Sequence, residues 1–169
     1  VAASHVAVYQ NDTFVGSITV ADTVKPTSAD AIAKLHQQGC RTILLTGDNY
    51  EAAQQIAAEV GISASDVIAD VLPTQKADRI TELQQGGNTV AMVGDGINDA
   101  AALALSHLGI AMGTGTDVAM QAADLTLVRG DVEAVPEALH LARRMNRIVR
   151  GNLFWAFIYN VAMVPLAML

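Results

Sequence analysis

Apolar and polar positions change period repeatedly along this chain, and the changes mark its elements. Residues Val6 to Val20 alternate apolar and polar around Gln10-Asn11-Asp12, which predicts a β-hairpin. Asp22 to Pro26 interrupts that pattern. From Thr27 to Gln38 the apolar residues Ala31, Ile32 and Leu35 recur at helical spacing, and Gly39 supplies a stop. Thr42-Ile43-Leu44-Leu45 reads as a short buried strand running into Thr46-Gly47-Asp48-Asn49. Asp48 with Glu51 fits a capping box for a helix from Tyr50 to Val60, closed by Gly61. A strand near Val67 to Val71 leads to Pro73 and a helix through Lys76, Ile80 and Leu83. After Gly86-Gly87 comes a strand from Val90 and a helix following Asp99. Then follow a strand at Ile110 to Met112, a Gly-Thr-Gly-Thr turn, a short helix near Val118 to Ala122 and a strand at Leu125 to Val128.

Strands alternating with helices of about ten residues predict an α/β fold with a doubly wound parallel sheet. The last helix differs, beginning near Asp131 and meeting no breaker before Gly151. Residues 1–135 therefore read as the α/β portion, 136–151 as a connecting helix and 152–169 as a partial transmembrane helix. A span needs about 20 apolar residues.

Composition sharpens this division. The 169 residues are 51% hydrophobic yet only 4% aromatic, and the mean hydropathy of +0.33 is high for a plain soluble domain. Net charge is −7, while Arg143, Arg144, Arg147 and Arg150 crowd just before the apolar terminus. An acidic chain with one basic collar argues against nucleic acid as a partner. The collar fits a positive-inside orientation that keeps the α/β portion in the cytoplasm. A lone Cys40 excludes an internal disulfide within this sequence. His5, His36, His107 and His140 share no ligand spacing and read as structural or surface residues. With no initiating methionine and an apolar run at its end, the chain is expected to be a fragment.

Three strand-to-helix junctions carry complementary polar groups. Thr46-Gly47-Asp48 offers a hydroxyl and backbone amides at a helix N-terminus, an anion site. Lys76 lies in a first helical turn, where the macrodipole disfavours a cation; a phosphate within reach gives it a reason to be there. Asp95, flanked by Gly94 and Gly96, stands with Asn98 and Asp99 as hard oxygen ligands of the kind Mg²⁺ takes beside a phosphate. Together they make a kit for phosphoryl transfer. The nucleophile is missing: Asp22 is followed by Thr23-Val24-Lys25, with no second carboxylate two residues on to act as general acid. Asp22 is rejected for that role, and the nucleophile is expected upstream of Val1.

These motifs resemble those of P-type ATPases. Thr46-Gly47-Asp48-Asn49 is similar to their TGDN sequence, and residues 94–103 resemble GDGxNDxPAL, with Ala101 where that family usually has Pro. A GIAMGxGTDVA-like run follows at Gly109 to Ala119, Pro73 to Lys76 resembles the family's P-x-x-K, and Asp22 to Pro26 resembles its re-entry into the phosphorylation domain. The resemblance covers essentially the whole chain. It implies a haloacid-dehalogenase-like phosphorylation domain in which Thr46 and Lys76 contact the phosphoryl group. By the same resemblance Asp95 holds Mg²⁺, and Asn98 and Asp99 complete the shell, with Gly47 and Asp48 part of the catalytic turn. ATP would be bound mainly by a domain absent here, and the nucleophilic aspartate would lie in an upstream DKTGT. The Ala101 departure implies altered loop stiffness rather than lost chemistry.

The last segment, Asn152 to Asn160 with Pro165-Leu166-Ala167 beyond, resembles the membrane helix after the phosphorylation domain in heavy-metal pumps. Its Tyr159-Asn160 pair is similar to that of the copper(I) branch and implies contact with the transported metal; packing between helices is the competing reading. The zinc and cadmium branch tends to carry a lysine there, and no lysine follows Lys76. Met163 and Met168 are the only sulfurs in the stretch, and copper(I) favours soft ligands. Gly151 stands where the family has Gln. The resemblance implies an integral membrane pump of the plasma (inner) membrane, exporting copper(I) with lipid and its own upstream domains as partners; the fragment alone is expected to be inactive. The alternatives are a soluble haloacid-dehalogenase-like phosphatase, a membrane-tethered module without a nucleophile, and a zinc- or potassium-type pump.

Overall fold

The computed structural model describes residues 4–20, 23–128 and 130–167. The expected hairpin forms from β1 (Ser4–Gln10) and β2 (Thr13–Val20), paired antiparallel with an irregularity at Val8/Tyr9. Asn11 and Asp12 both take positive φ, 48° and 64°, the backbone a tight hairpin needs. Asp22, and with it the rejection of Asp22 as nucleophile, lies outside the described residues.

Among the described residues, five further strands and six helices then follow the predicted alternation. α1 (Thr27–Gln37) precedes β3 (Leu44–Leu45), α2 (Tyr50–Val60) and β4 (Val67–Ile68). α3 (Pro73–Gln85) leads to β5 (Ala91–Gly94), a 3-10 turn (Ile97–Asp99) and α4 (Ala100–Leu105), whose first turn contains Ala101. β6 (Leu108–Met112), α5 (Asp117–Ala122), β7 (Leu125–Leu127) and α6 (Ala134–Ala167) complete the order. β5, β6 and β7 form a three-stranded parallel sheet in that order, and β3 pairs with β4, also in parallel. Among the described residues no ladder joins β3 to β5.

The parallel strands are shorter than the apolar runs suggested. Thr42 and Ile43 lie outside β3, and β4 ends at Ile68 because Asp70 turns the chain at φ 55°. Pairing continues irregularly beyond, with Thr46 N donating to Ile68 O and Val71 N to Thr46 O. The helix caps also differ from expectation. Asn49, not Asp48, caps α2, its side chain accepting from Ala52 N at 2.9 Å. Asp48 is turned back to Thr46 instead. Gly61 closes α2 at φ 82°, a left-handed conformation that costs a side-chain-bearing residue energy.

The core lies on both faces of the parallel strands. Ile80, Met92, Ala102, Leu103 and Ala119 form one cluster, with Leu45 and Val90 packed against it. Leu35, Ile110, Leu127 and Val135 form another. Leu45 at the end of β3 and Met92 in β5 thus share one apolar cluster, which places the two strands at a common core.

α6 runs unbroken through Gly151 and through the expected boundaries at 136 and 152. Its base is fastened to α1. Gln38 Nε2 donates to Pro136 O at 2.9 Å, and Arg143 Nη1 donates to Gln38 O and Oε1 at 2.9 and 3.2 Å. One arginine of the collar therefore docks helix to helix. No helix among the described residues is long and apolar enough to cross a membrane.

Candidate active site

The Gly94 turn is built around a buried carboxylate. Apolar β5 carries the chain to Gly94, and the 3-10 turn folds Asp99 back beneath it. A Cβ on Gly94 would sit 2.8 Å from Asp99 Cβ and 2.9 Å from its Oδ2, so glycine is required by close approach as much as by the turn. Asp99 is 7% exposed and needs a partner at that depth. It has one: Lys76 Nζ donates to Asp99 Oδ1 at 2.6 Å. Lys76 comes from the first turn of α3, where Pro73 is pre-set for a helix start and Gln75 Oε1 accepts from Leu72 N. The carboxylate compensates the unfavourable macrodipole position of the lysine.

Asp95 and Asn98 are exposed beside this pair. The Asp95 carboxylate accepts no protein hydrogen bond among the described residues. Mg²⁺ is held in phosphoryl-transfer sites by one or two carboxylates together with waters and phosphate oxygens. An exposed Asp95 carboxylate on a glycine-flanked turn that also carries Asp99 of the Lys76–Asp99 pair is a donor set that fits. No cluster of three or more His, Cys, Asp or Glu able to hold a metal exists among the described residues, so an all-protein cage is not what this turn provides.

Thr46, Gly47 and Asp48 form a second turn after β3. Thr46 Oγ1 donates to Asp48 Oδ2 at 2.9 Å and accepts from Asp48 N at 3.1 Å. Asp70 N donates to Asp48 O, and a Cβ on Gly47 would lie 3.2 Å from Val71 O. The packing of Leu45 against Ile80 and Met92 sets this turn on the core that carries Lys76 and the Gly94 turn. No hydrogen bond joins the Thr46 turn to the Lys76–Asp99 pair among the described residues. The pairing of Lys76 with Asp99 was not read from the sequence, although an acidic residue in a buried turn was the signal for it.

Tyr159 and Asn160 stand apart from this site, on the distal half of α6. They line an open apolar groove with Trp155, Ala156, Ile158 and Met163. Asn160 Nδ2 donates to Ala156 O of its own helix at 2.9 Å. Of the histidines, His107 Nδ1 accepts from Val90 N at the start of β5, and His36 bonds Thr42. Cys40 is half-buried with Arg143 Nη2 at 3.5 Å from its sulfur.

The family model for haloacid dehalogenase-like hydrolases matches residues 2–107. The chain belongs to that family. Within the haloacid dehalogenase-like hydrolases it is similar to P-type ATPases. It is 53% identical over 159 residues to a copper-exporting P-type ATPase of Staphylococcus aureus (strain MRSA252), covering 94% of this chain and 20% of that protein. It is 58% identical over 152 residues to the cation-transporting P-type ATPase B of Mycobacterium leprae (strain TN), covering 90% and 20%. Among solved structures, a zinc-transporting PIB-type ATPase in the E2.Pi state superposes with a TM-score of 0.81 at 38% identity, over 99% of this chain and 28% of that one. The chain thus spans about a fifth of the length of the curated relatives it matches.

Proposed function

We propose that this chain is the phosphoryl-handling portion of an ATP-driven copper(I)-exporting P-type pump. The observation that carries the reading is the buried Lys76–Asp99 pair beneath an exposed Asp95 on a glycine-flanked turn. That arrangement sets a fixed cation next to a free carboxylate. Bound Mg²⁺ would neutralise charge on a transferring phosphoryl group. Asp95 would hold it, Asn98 and Asp99 would complete the polar shell, and Asp99 would also aim Lys76 at the phosphate. The Thr46 hydroxyl and the amides of Gly47 and Asp48 would steady the phosphoryl oxygens. Once a phosphate arrives, the Thr46 hydroxyl would have to leave Asp48. The attacking carboxylate would come from a segment upstream, and β3 and β5, each with one partner strand among the described residues, have edges on which a further strand would fit.

Copper(I) as cargo is supported by the copper-exporting relatives and by the Tyr159-Asn160 pair with Met163. The pump would lie in a membrane with the α/β portion in the cytoplasm, entering lipid through the distal part of α6. The likeness to zinc-transporting structures at 38–40% identity favours zinc as the second reading. The test is metal-stimulated ATPase activity of the full-length protein, with Cu(I) and Zn(II) compared. Stimulation by Cu(I) is expected; stimulation by Zn(II) alone would overturn the copper assignment. Loss of an acid-stable phosphoprotein in Asp95→Asn tests the site itself.

A further inference from the structure

Asp95 stands between two glycines, so its own turn does little to fix it. The restraint comes from elsewhere. Thr116 N donates to Asp95 O at 2.9 Å, and a Cβ on Gly115 would fall 2.3 Å from that same oxygen. Both belong to the loop 113–116, which joins β6 to α5 and is itself tied down. Gly113 N donates to Leu127 O at 2.6 Å, and Gly115 N to Met112 O at 2.8 Å. Thr116 Oγ1 accepts from Ala119 N at 3.3 Å, capping α5. Behind the loop a Cβ on Gly130 would come within 2.4 Å of Thr114 Oγ1, and Gly130 O accepts from Lys25 Nζ. The loop is thus wedged between the end of β7 and the backbone of Asp95.

We propose that loop 113–116 is the positioning element of the Asp95 carboxylate: Gly115 admits the Asp95 carbonyl and the Thr116 amide holds it, fixing where the metal ligand stands. The proposal rests on Asp95 being the Mg²⁺ ligand. With the carbonyl held, the carboxylate moves only about its own side-chain bonds. Mg²⁺ tolerates little error in ligand placement, so a displacement of a few tenths of an ångström weakens binding. Gly115 and Thr116 act through Asp95 and touch neither metal nor phosphate.

The test uses the full-length protein with Mn²⁺ as a spectroscopic probe of the Mg²⁺ site, titrated in inorganic phosphate without ATP, alongside thermal melting. Gly115→Ala is expected to weaken Mn²⁺ by about ten-fold, the size of effect seen when a ligand's support is removed. Thr116→Pro is the second variant. Thr116 has φ −78° and ψ 152°, values proline adopts, so the substitution deletes the amide donor while keeping that conformation. The same weakening is expected there, and Thr116→Val, which retains the amide, is expected to restore native affinity. Native Mn²⁺ affinity in a folded Gly115→Ala or Thr116→Pro protein, with Asp95→Asn strongly impaired, overturns the positioning role alone. Native affinity in Asp95→Asn overturns the ligand assignment beneath it.

Discussion

The turns after β3 and β5 carry the same kinds of residue and are held in opposite ways. At the β5 turn, Asp99 is buried and locked to Lys76, whose side chain is 16% exposed against 10% for Asp99. At the β3 turn, Thr46 and Asp48 hydrogen-bond each other near the surface. The first is assembled before any ligand arrives and is part of the folded core. The second spends its hydroxyl on a local contact that water can replace at little cost. Pre-assembly therefore sits on the Lys76–Asp99 side; under the proposed phosphate-binding role, the Thr46 side would have to rearrange.

Substitutions break this comparison in a graded way. Asp95→Asn has the largest expected effect: phosphorylation of the full-length protein should fall by more than about 100-fold, with melting unchanged because Asp95 is exposed. Next comes Lys76→Met, which leaves Asp99 buried without its cation. We expect a loss of about 2–3 kcal/mol in unfolding free energy, below the cost of a fully buried pair because both side chains keep some exposure. Denaturant titration checks it, and Lys76→Met with Asp99→Asn should recover part of the loss. Asn49→Ala should cost about 1 kcal/mol through the lost cap on α2. Thr46→Ala should move stability by no more than about 0.5 kcal/mol while lowering the phosphorylation rate. A destabilisation by Thr46→Ala as large as that by Lys76→Met would erase the contrast between the two turns.

The smallest effect is one of pH. Asp131 accepts from Glu133 N and from Thr27 Oγ1, and these bonds hold its carboxyl below the ordinary aspartate range, the Glu133 amide contributing most. Since the folded form has the lower pKa, its stabilisation is complete above the ordinary aspartate pKa and is lost as pH falls through the folded value. Asp131→Asn should therefore flatten the acid limb of the stability profile and leave the neutral plateau's slope unchanged.

Much of this was legible from residue order. Residue order placed the six α-helices of the described residues, most clearly where Ala31 and Leu35 bury one face of α1 at helical spacing. Strand lengths were overestimated, since an apolar run does not fix where a ladder begins: Ile43 is half-buried yet lies outside β3. Asp48 and Asn49 are both competent caps, and neighbouring residues of equal propensity are separated only by what else each can bond; Thr46 claims Asp48. Lys76 and Asp99 were each suspected, yet their contact depends on how α3 packs against the 3-10 turn, which no local pattern encodes. The glycines at 94 and 115 were read as turn formers. Their need comes from atoms distant in sequence, Asp99 beneath the first and the Asp95 carbonyl beside the second.

The unbroken course of α6 has a mechanical consequence. Its 34 residues make a rod about 51 Å long at 1.5 Å per residue, clamped to α1 near one end by Gln38 and Arg143. A tilt of about 5° at that clamp displaces the far end by about 4 Å, given the same rise per residue. The helix is a lever whose short arm lies against the α/β core and whose long arm carries Tyr159 and Asn160.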